Sequence, residues 1–406
     1  LNKDIGRSYK SCREKNLSFA KWQELIAYNL DTLEEMLLYT AEFNISCLRL
    51  SSGIIPFASK VSEAWDYEDI FKNKLEQLKT IIKNEQIRIS MHPGQYTVLN
   101  SRDKRVVSNA IDDLLAHAKL IRSLGGNQRN KMVLHIGGRY ENKQEAMKRF
   151  IEVCSSLPVE IREQLVLEND EISYSAEDVL SICHATGLPM VYDVFHESVY
   201  HPATKLEDHL AWIDAAQKTW KPEDGIQVIH YSDQDPDKRP GAHAKTIDSE
   251  NFLDFAKALS GRQIDIILEC KNKNREAEKL ELLLRPKIQN LERIHAMEKY
   301  KTLAKSTLLY QEASELLKDK KQPKVKEYFE LLERRDALPF NLKGEKNAAE
   351  HVFGYFKKDL EKKEKENFLE ALHTLSNEDP YKLRKILRSF NKKYPKKYLL
   401  RSRYLE

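Results

Sequence analysis

Short runs of β-branched and aliphatic residues recur along roughly the first 270 residues, each followed by a stretch of helical periodicity, and this alternation constrains the fold more than any other feature. The runs fall at 5–9, 46–52, 87–93, 132–137, 165–169, 190–195, 226–231 and 264–271. Most are almost continuously apolar, as expected of strands covered on both faces of a parallel sheet. Between them lie amphipathic segments. Residues 30–42 place Leu33, Leu37, Leu38 and Ala41 on one face, and 108–123 do the same with Ile111, Leu114, Leu115, Ala118 and Ile121. Eight such β-α units in about 300 residues predict an α/β fold, a TIM (β/α)8 barrel, in preference to an open doubly wound sheet of similar alternation.

Strand signals stop near residue 300, and the composition shifts. Residues 301–406 hold 26 Lys/Arg against 17 Asp/Glu, a net +9; the remaining 41 basic and 46 acidic residues give the front part a net −5. Two domains are predicted, a barrel over 1–299 and an additional all-α, basic domain over 300–406. An acidic front part is a poor polyanion binder by charge alone, unless bound cations reverse its local sign. No window approaches the roughly 18–20 apolar residues of a membrane span, and the first residues lack a charged-then-apolar leader pattern. The five cysteines are scattered and show no CxxC spacing, which argues for a reducing, cytoplasmic setting and against a thiolate zinc site.

Almost every run ends in a side chain able to bind metal. The sequence reads Ser-Met-His92, Val-Leu-His135, Val-Leu-Glu168, Val-Tyr-Asp193-Val-Phe-His196, Val-Ile-His230 and Ile-Leu-Glu269, with His243 in the loop after His230. Singly, each has an ordinary explanation as a hydrogen-bonded core histidine or an ion-paired carboxylate. Together they differ, because a barrel brings its strand C-termini to one mouth, and converging carboxylates and imidazoles without a cation would repel and desolvate one another. A mixed imidazole and carboxylate set suits Mn²⁺, Zn²⁺ or Fe²⁺. Eight candidate ligands are enough for two or three ions, an arrangement suited to phosphodiester hydrolysis but also to sugar isomerisation.

His92-Pro-Gly-Gln-Tyr96, His135-Ile-Gly-Gly138, Leu167-Glu-Asn-Asp170, His243-Ala-Lys-Thr-Ile-Asp248, Arg49-Leu-Ser-Ser52 and Ile55-Pro-Phe-Ala58 occur in order over about residues 4–295. This set resembles the UV damage endonuclease family, which is related to endonuclease IV. The resemblance implies a DNA repair hydrolase that nicks double-stranded DNA immediately 5′ of a photolesion, leaving a 3′-hydroxyl and a 5′-phosphate. It implies one ion on His92, His135 and Glu168, a second on Asp193, His230 and Glu269 sharing Glu168, and a third on His196 and His243. Mn²⁺ is the expected ion, with Zn²⁺, Fe²⁺ or Mg²⁺ as alternatives. His92, His135, Glu168, His230 and Glu269 are the expected catalytic set. Gln95 and Tyr96 are expected to enter the duplex at the lesion, with Tyr9 beside it, and Arg102, Lys104 and Arg105 to touch backbone phosphates.

The pattern is broken at three places. Ser11 stands where an Asn is usual, Glu197 where many members have a second His, and Val228 where many have a Lys. The resemblance further implies a monomer, working in the cytoplasm at the nucleoid and apart from any membrane. Residues 350–358 and 395–399 resemble a small helical domain of unknown function called YbgA-like. Helices are predicted at 302–318, 325–333, 348–357, 362–375 and 380–391. Residues 380–406 carry ten Lys/Arg against one acid, interleaved with aromatics, which is either a nucleic-acid footprint or a solvated face over a core. Rival readings for the whole chain are an abasic-site endonuclease of the endonuclease IV type, a sugar isomerase on the same barrel, and a noncatalytic DNA-binding module.

Overall fold

The computed structural model describes residues 4–61, 65–377 and 379–406. The chain gathers into two compact units, Tyr9–Ala277 and the pair of segments Leu1–Ser8 and Glu278–Glu406. The compositional boundary near 299 falls inside a helix, Ile288–Lys305.

The larger unit is a nearly closed barrel of seven parallel strands whose spatial order follows the sequence. They are β1 (Cys47–Leu50), β2 (Arg88–Met91), β3 (Met132–His135), β4 (Leu165–Glu168), β5 (Met190–Asp193), β6 (Gln227–Tyr231) and β7 (Ile264–Leu268). Helices follow the strands, among them Lys104–Ser123 after β2 and Ala176–Thr186 after β4. Ser175 caps the second of these through a capping box with Asp178, and Gly187 ends it in the left-handed conformation, φ +71°.

The sequence predicts an eighth strand at 5–9, and the structure does not form it. Asp4, Ile5 and Gly6 make a turn, with Gly6 at φ +67°, and 7–13 join no ladder. Just beyond, the backbone N–H of Lys10 donates to Asn29 Oδ1 at 2.8 Å, and Asn29 Nδ2 returns a bond to the Lys10 carbonyl at 3.0 Å. A buried asparagine on the helix Phe19–Glu42 thus takes the place of a strand partner. Side chains cross the remaining gap between the two ends of the sheet. Arg88 of β2 meets Asp265 of β7 at 2.8 Å, and Arg49 of β1 meets Glu269, one residue past β7, at 2.5 Å.

Strand alternation sorts the barrel interior into layers. At the floor, Arg88 bonds the carbonyls of Arg129 and Ile226, and Lys131 pairs with Asp224 at 2.6 Å, both buried. Above it Val133, Val166, Val191 and Val228 form an apolar layer closed by Trp220. A cavity of about 10 Å³ there, bordered by Cys47, Ser90 and His230, has room for one water. The polar residues of the strand ends form the top.

In the smaller unit, helices Ile288–Lys305, Thr307–Leu316, Val325–Ala337, Leu342–Phe353, Lys362–His373 and Lys382–Lys393 surround a core that includes Phe353, Phe356, Phe368, Leu387, Phe390 and Tyr404. The single helix predicted at 302–318 is two, because Ser306 is extended and caps the second by accepting from Leu309 N. Phe390 and Tyr404 belong to the core, and Tyr404 donates to Glu345. Arg384 pairs with Glu345, Lys393 with Glu364 and Lys396 with Asp359. Phe390 and Tyr404 thus lie in the core, while Tyr381 and Tyr398 are exposed together with Lys385, Arg388, Lys392, Lys393 and Lys397.

Candidate metal centre

Six of the seven strands, β2 to β7, deliver a polar residue from their ends to the same mouth. His135, Glu168 and Asp193 are the last residues of β3, β4 and β5, His230 lies within β6, and His92 and Glu269 follow β2 and β7 by one residue. Asp193 also caps the short helix Val194–Tyr200 by accepting from His196 N at 2.7 Å, which fixes His196 beside it. Asn169 clamps the neighbouring strand end, its side chain donating to the Asp193 carbonyl and accepting from the Asp193 amide.

Glu168, fully buried, is the centre of the arrangement. Its Oε2 lies 3.0 Å from His92 Nε2 and 3.4 Å from His135 Nε2. Its Oε1 lies 2.5 Å from His230 Nδ1 and 3.8 Å from His196 Nδ1. Two ligand sets result, His92–His135–Glu168 and Glu168–Asp193–His230, each with donor atoms within 4.8 Å of one another. They share one carboxylate, whose two oxygens face opposite sets. Glu269 Oε1 is 3.3 Å from His230 Nδ1, and Glu269 Oε2 is 3.7 Å from His243 Nε2. His243 is oriented by Ser232, 2.9 Å from its Nδ1. The His196 and His243 rings stand 5.8 Å apart.

Burial pushes the Glu168 carboxyl upward, but His230 and His135 beside it prevail and hold it well below the usual range. Asp193 goes the other way: burial raises it, and the charges of Glu168 and Glu269 add to the rise. His196 is lifted to about 9, because Asp193, Glu168 and Glu171 outweigh its burial. Burial pulls His135 below its ordinary range, toward the neutral form in which imidazole binds a metal. Asp193 Oδ2 and His135 Nδ1 are buried without a hydrogen-bond partner among the described residues. Orphaned donor atoms within a knot of carboxylates and imidazoles fit a divalent cation, which would satisfy both valence and charge.

The other predicted residues are more dispersed. Tyr96 is 69% exposed on the loop after His92, and Gln95 beside it is also exposed. The Tyr96 ring lies against Gly94, where a Cβ would come within 2.6 Å of it and turn the ring aside. Tyr9 instead packs on the helix Phe19–Glu42, its hydroxyl 3.2 Å from Met36 Sδ. Arg102 pairs with Glu141 and lies over Tyr140, while Lys104 and Arg105 are exposed at the start of Lys104–Ser123. Of the positions that break the family pattern, Glu197 is buried, its carboxylate 2.7 Å from His201 Nδ1 and accepting from Ala176 N. Val228 sits in the apolar layer, directly below His230 on β6.

Two charged groups at the site had no role assigned from the sequence. Arg49 Nη2 donates to His230 Nε2 at 3.0 Å as well as pairing with Glu269. Glu171 Oε2 approaches His196 Nε2 to 3.9 Å. A charged residue within an apolar strand run was the signal available for Arg49; Glu171, one of three acids and amides after β4, had none.

A model described as UV-endonuclease UvdE matches residues 6–303. The chain belongs to the UV-endonuclease UvdE family. A UV DNA damage endonuclease of Clostridium perfringens (strain 13 / Type A) is 36% identical over 262 residues, 64% of this chain and 63% of that protein. The chain thus spans less than two thirds of that relative. One from Bacillus cereus (strain B4264) is 33% identical over 258 residues, 63% of this chain and 80% of the relative. A crystal structure of SacUVDE, 36% identical, superposes with a TM-score of 0.63 over 69% of this chain and 93% of its own. A second model, described as a protein of unknown function, matches residues 299–406. Among the described residues, no helix is long and apolar enough to cross a membrane.

Proposed function

We propose that the chain is a repair endonuclease that hydrolyses the phosphodiester immediately 5′ of an ultraviolet photoproduct in duplex DNA, leaving a 3′-hydroxyl and a 5′-phosphate. The observation that carries this reading is Glu168, one buried carboxylate facing two histidine-containing sets at the barrel mouth, in a chain of this family.

His92, His135 and Glu168 would hold one divalent ion, and Glu168, Asp193, His230 and Glu269 a second, with His196 and His243 available to a third; Mn²⁺ is the ion we propose. Bound there, such ions lower the pKa of a water nucleophile and offset the charge that builds on the phosphate. The protein's own groups prepare the site. His135 is biased toward its neutral form and Glu168 toward its charged one, Asn169 fixes the end of β5, and Ser232 holds His243. At the rim, Tyr96 offers an exposed aromatic face to replace lost base stacking, and Gln95 an amide for an orphaned base edge. Tyr9 would act nearby, through the wall behind it rather than through a free hydroxyl. Arg102, Lys104 and Arg105 serve phosphates of the flanking duplex. We assign this activity to a domain of residues 1–299, working as a monomer in the cytoplasm, and treat 300–406 as a basic helical domain without an assigned reaction.

The test is a nicking assay with Mn²⁺-loaded protein on duplexes carrying a cyclobutane dimer, a 6–4 photoproduct or an abasic site. Incision 5′ of the photoproducts supports the reading. Incision at the abasic site alone would assign the protein to endonuclease IV-type repair. Absence of any incision by folded, loaded protein would overturn it.

A further inference from the structure

Arg49 stands inside the candidate centre, and nothing above gives it a task. Its Nη2 is 2.5 Å from Glu269 Oε1 and 3.0 Å from His230 Nε2, so one guanidinium nitrogen joins two members of the proposed second ligand set. Arginine can only donate. His230 Nε2 therefore accepts, and the imidazole proton sits on Nδ1, directed at Glu168 Oε1.

That arrangement is incompatible with a cation on the same side of His230. A cation bound at Nδ1, next to Glu168 and Asp193, requires the ring proton to move to Nε2. Two donors then face each other across the Arg49 contact. Glu269, whose carboxyl is shared between Arg49 and the His230 side, is drawn to the stronger charge, and the dication repels the guanidinium. The Arg49 side chain is 27% exposed, against 17% for Glu269 and 0% for His230, so of the three it has the most access to solvent.

Resting on the metal-centre reading above, we propose that Arg49 exchanges partners: it holds Glu269 and His230 until a divalent ion takes them, then turns its planar fork to a non-bridging oxygen of the scissile phosphate. Arginine suits that second role, because its two parallel N–H groups match phosphate oxygens and its charge does not depend on pH in the working range.

The experiment compares wild type, Arg49→Met and Arg49→Lys by calorimetric titration with Mn²⁺ without DNA, and by single-turnover nicking at saturating Mn²⁺. Removing the competitor should leave Arg49→Met binding Mn²⁺ at least as tightly as wild type, while its nicking rate falls by about 10²–10³-fold, the usual cost of losing one transition-state donor. Arg49→Lys should recover part of the rate. Weaker Mn²⁺ binding by Arg49→Met would make Arg49 a positioning residue for the ligands and overturn the exchange. Unchanged nicking by fully loaded Arg49→Met would also overturn it. Failure of the wild type itself to bind Mn²⁺ would instead count against the metal-centre reading, which separates the two.

Discussion

Glu168 Oε1 lies 2.5 Å from His230 Nδ1, and neither side chain is exposed to solvent. The pair joins the ends of two strands that are not neighbours, β4 and β6, across the barrel interior. Glu168→Gln keeps the shape and removes the charge that both ligand sets share. We expect bound Mn²⁺ to drop by at least one ion per chain in elemental analysis, and nicking to fall below about a few per cent of wild type. Full metal content with full activity would refute the shared-carboxylate assignment.

Gly94 and Tyr96 give a way to separate the rim from the centre. A Cβ at 94 would lie 2.6 Å from the Tyr96 ring and displace it. Gly94→Ala and Tyr96→Ala should both reduce nicking of lesion duplexes by about tenfold or more, in keeping with a base-stacking contribution of about 1–3 kcal/mol. Mn²⁺ stoichiometry should stay unchanged in both variants. Loss of metal in either would mean that the loop supports the ligands rather than the lesion.

Six of the ligand candidates could be read from the sequence because barrel geometry gives strand ends a common destination. His92, His135, Glu168, Asp193, His230 and Glu269 each close an apolar run, and parity does the rest. Arg49 opens the Arg49-Leu-Ser-Ser52 motif, but its role was hidden because its partners, Glu269 and His230, are far away in sequence. The segment 5–9 misleads for a related reason. Ile5 and Tyr9 suggest a strand, but Gly6 at positive φ turns the chain, and the competing partner, Asn29, lies on a later helix. In residues 380–406 the aromatics could be interpreted either way until packing placed Phe390 and Tyr404 inside.

Arg403 holds the smaller unit together through buried charge. Its guanidinium, 4% exposed, bonds Asp4 at 2.9 Å, Glu298 at 3.0 Å and Glu278 at 2.6 Å. Arg403→Met removes one buried cation from Asp4, Glu278 and Glu298, the last of which keeps Arg335 at 2.5 Å. We expect a loss of about 3–5 kcal/mol in the denaturant transition of that unit. A change under about 1 kcal/mol would show that solvent reaches the cluster.

His295 should give the same unit an acid limit. Burial, helped by Lys299, holds its pKa down to about 4, against about 6.5 for an unfolded chain. Between those values the unfolded chain binds the proton and the folded one does not. Stability is therefore full above about pH 6.5 and is lost as the pH falls toward 4. The melting temperature of wild type should drop across that window more steeply than that of His295→Phe. Parallel curves would contradict the assignment.

The valine layer beneath the centre has a consequence for traffic. Val133, Val166, Val191 and Val228, with Trp220 behind them, separate the charged strand ends from the ionic floor, leaving space there for about one water. That space is lined by Arg88 and Lys131 of the floor as well as by Ser90 and His230, so the two levels share about one water's volume and no wide channel. If the chain acts on duplex DNA as proposed, bulk water reaches the centre through the upper opening, the same one the duplex would cover. A bound substrate would close its own supply line, and the reaction would run on whatever solvent was enclosed at docking.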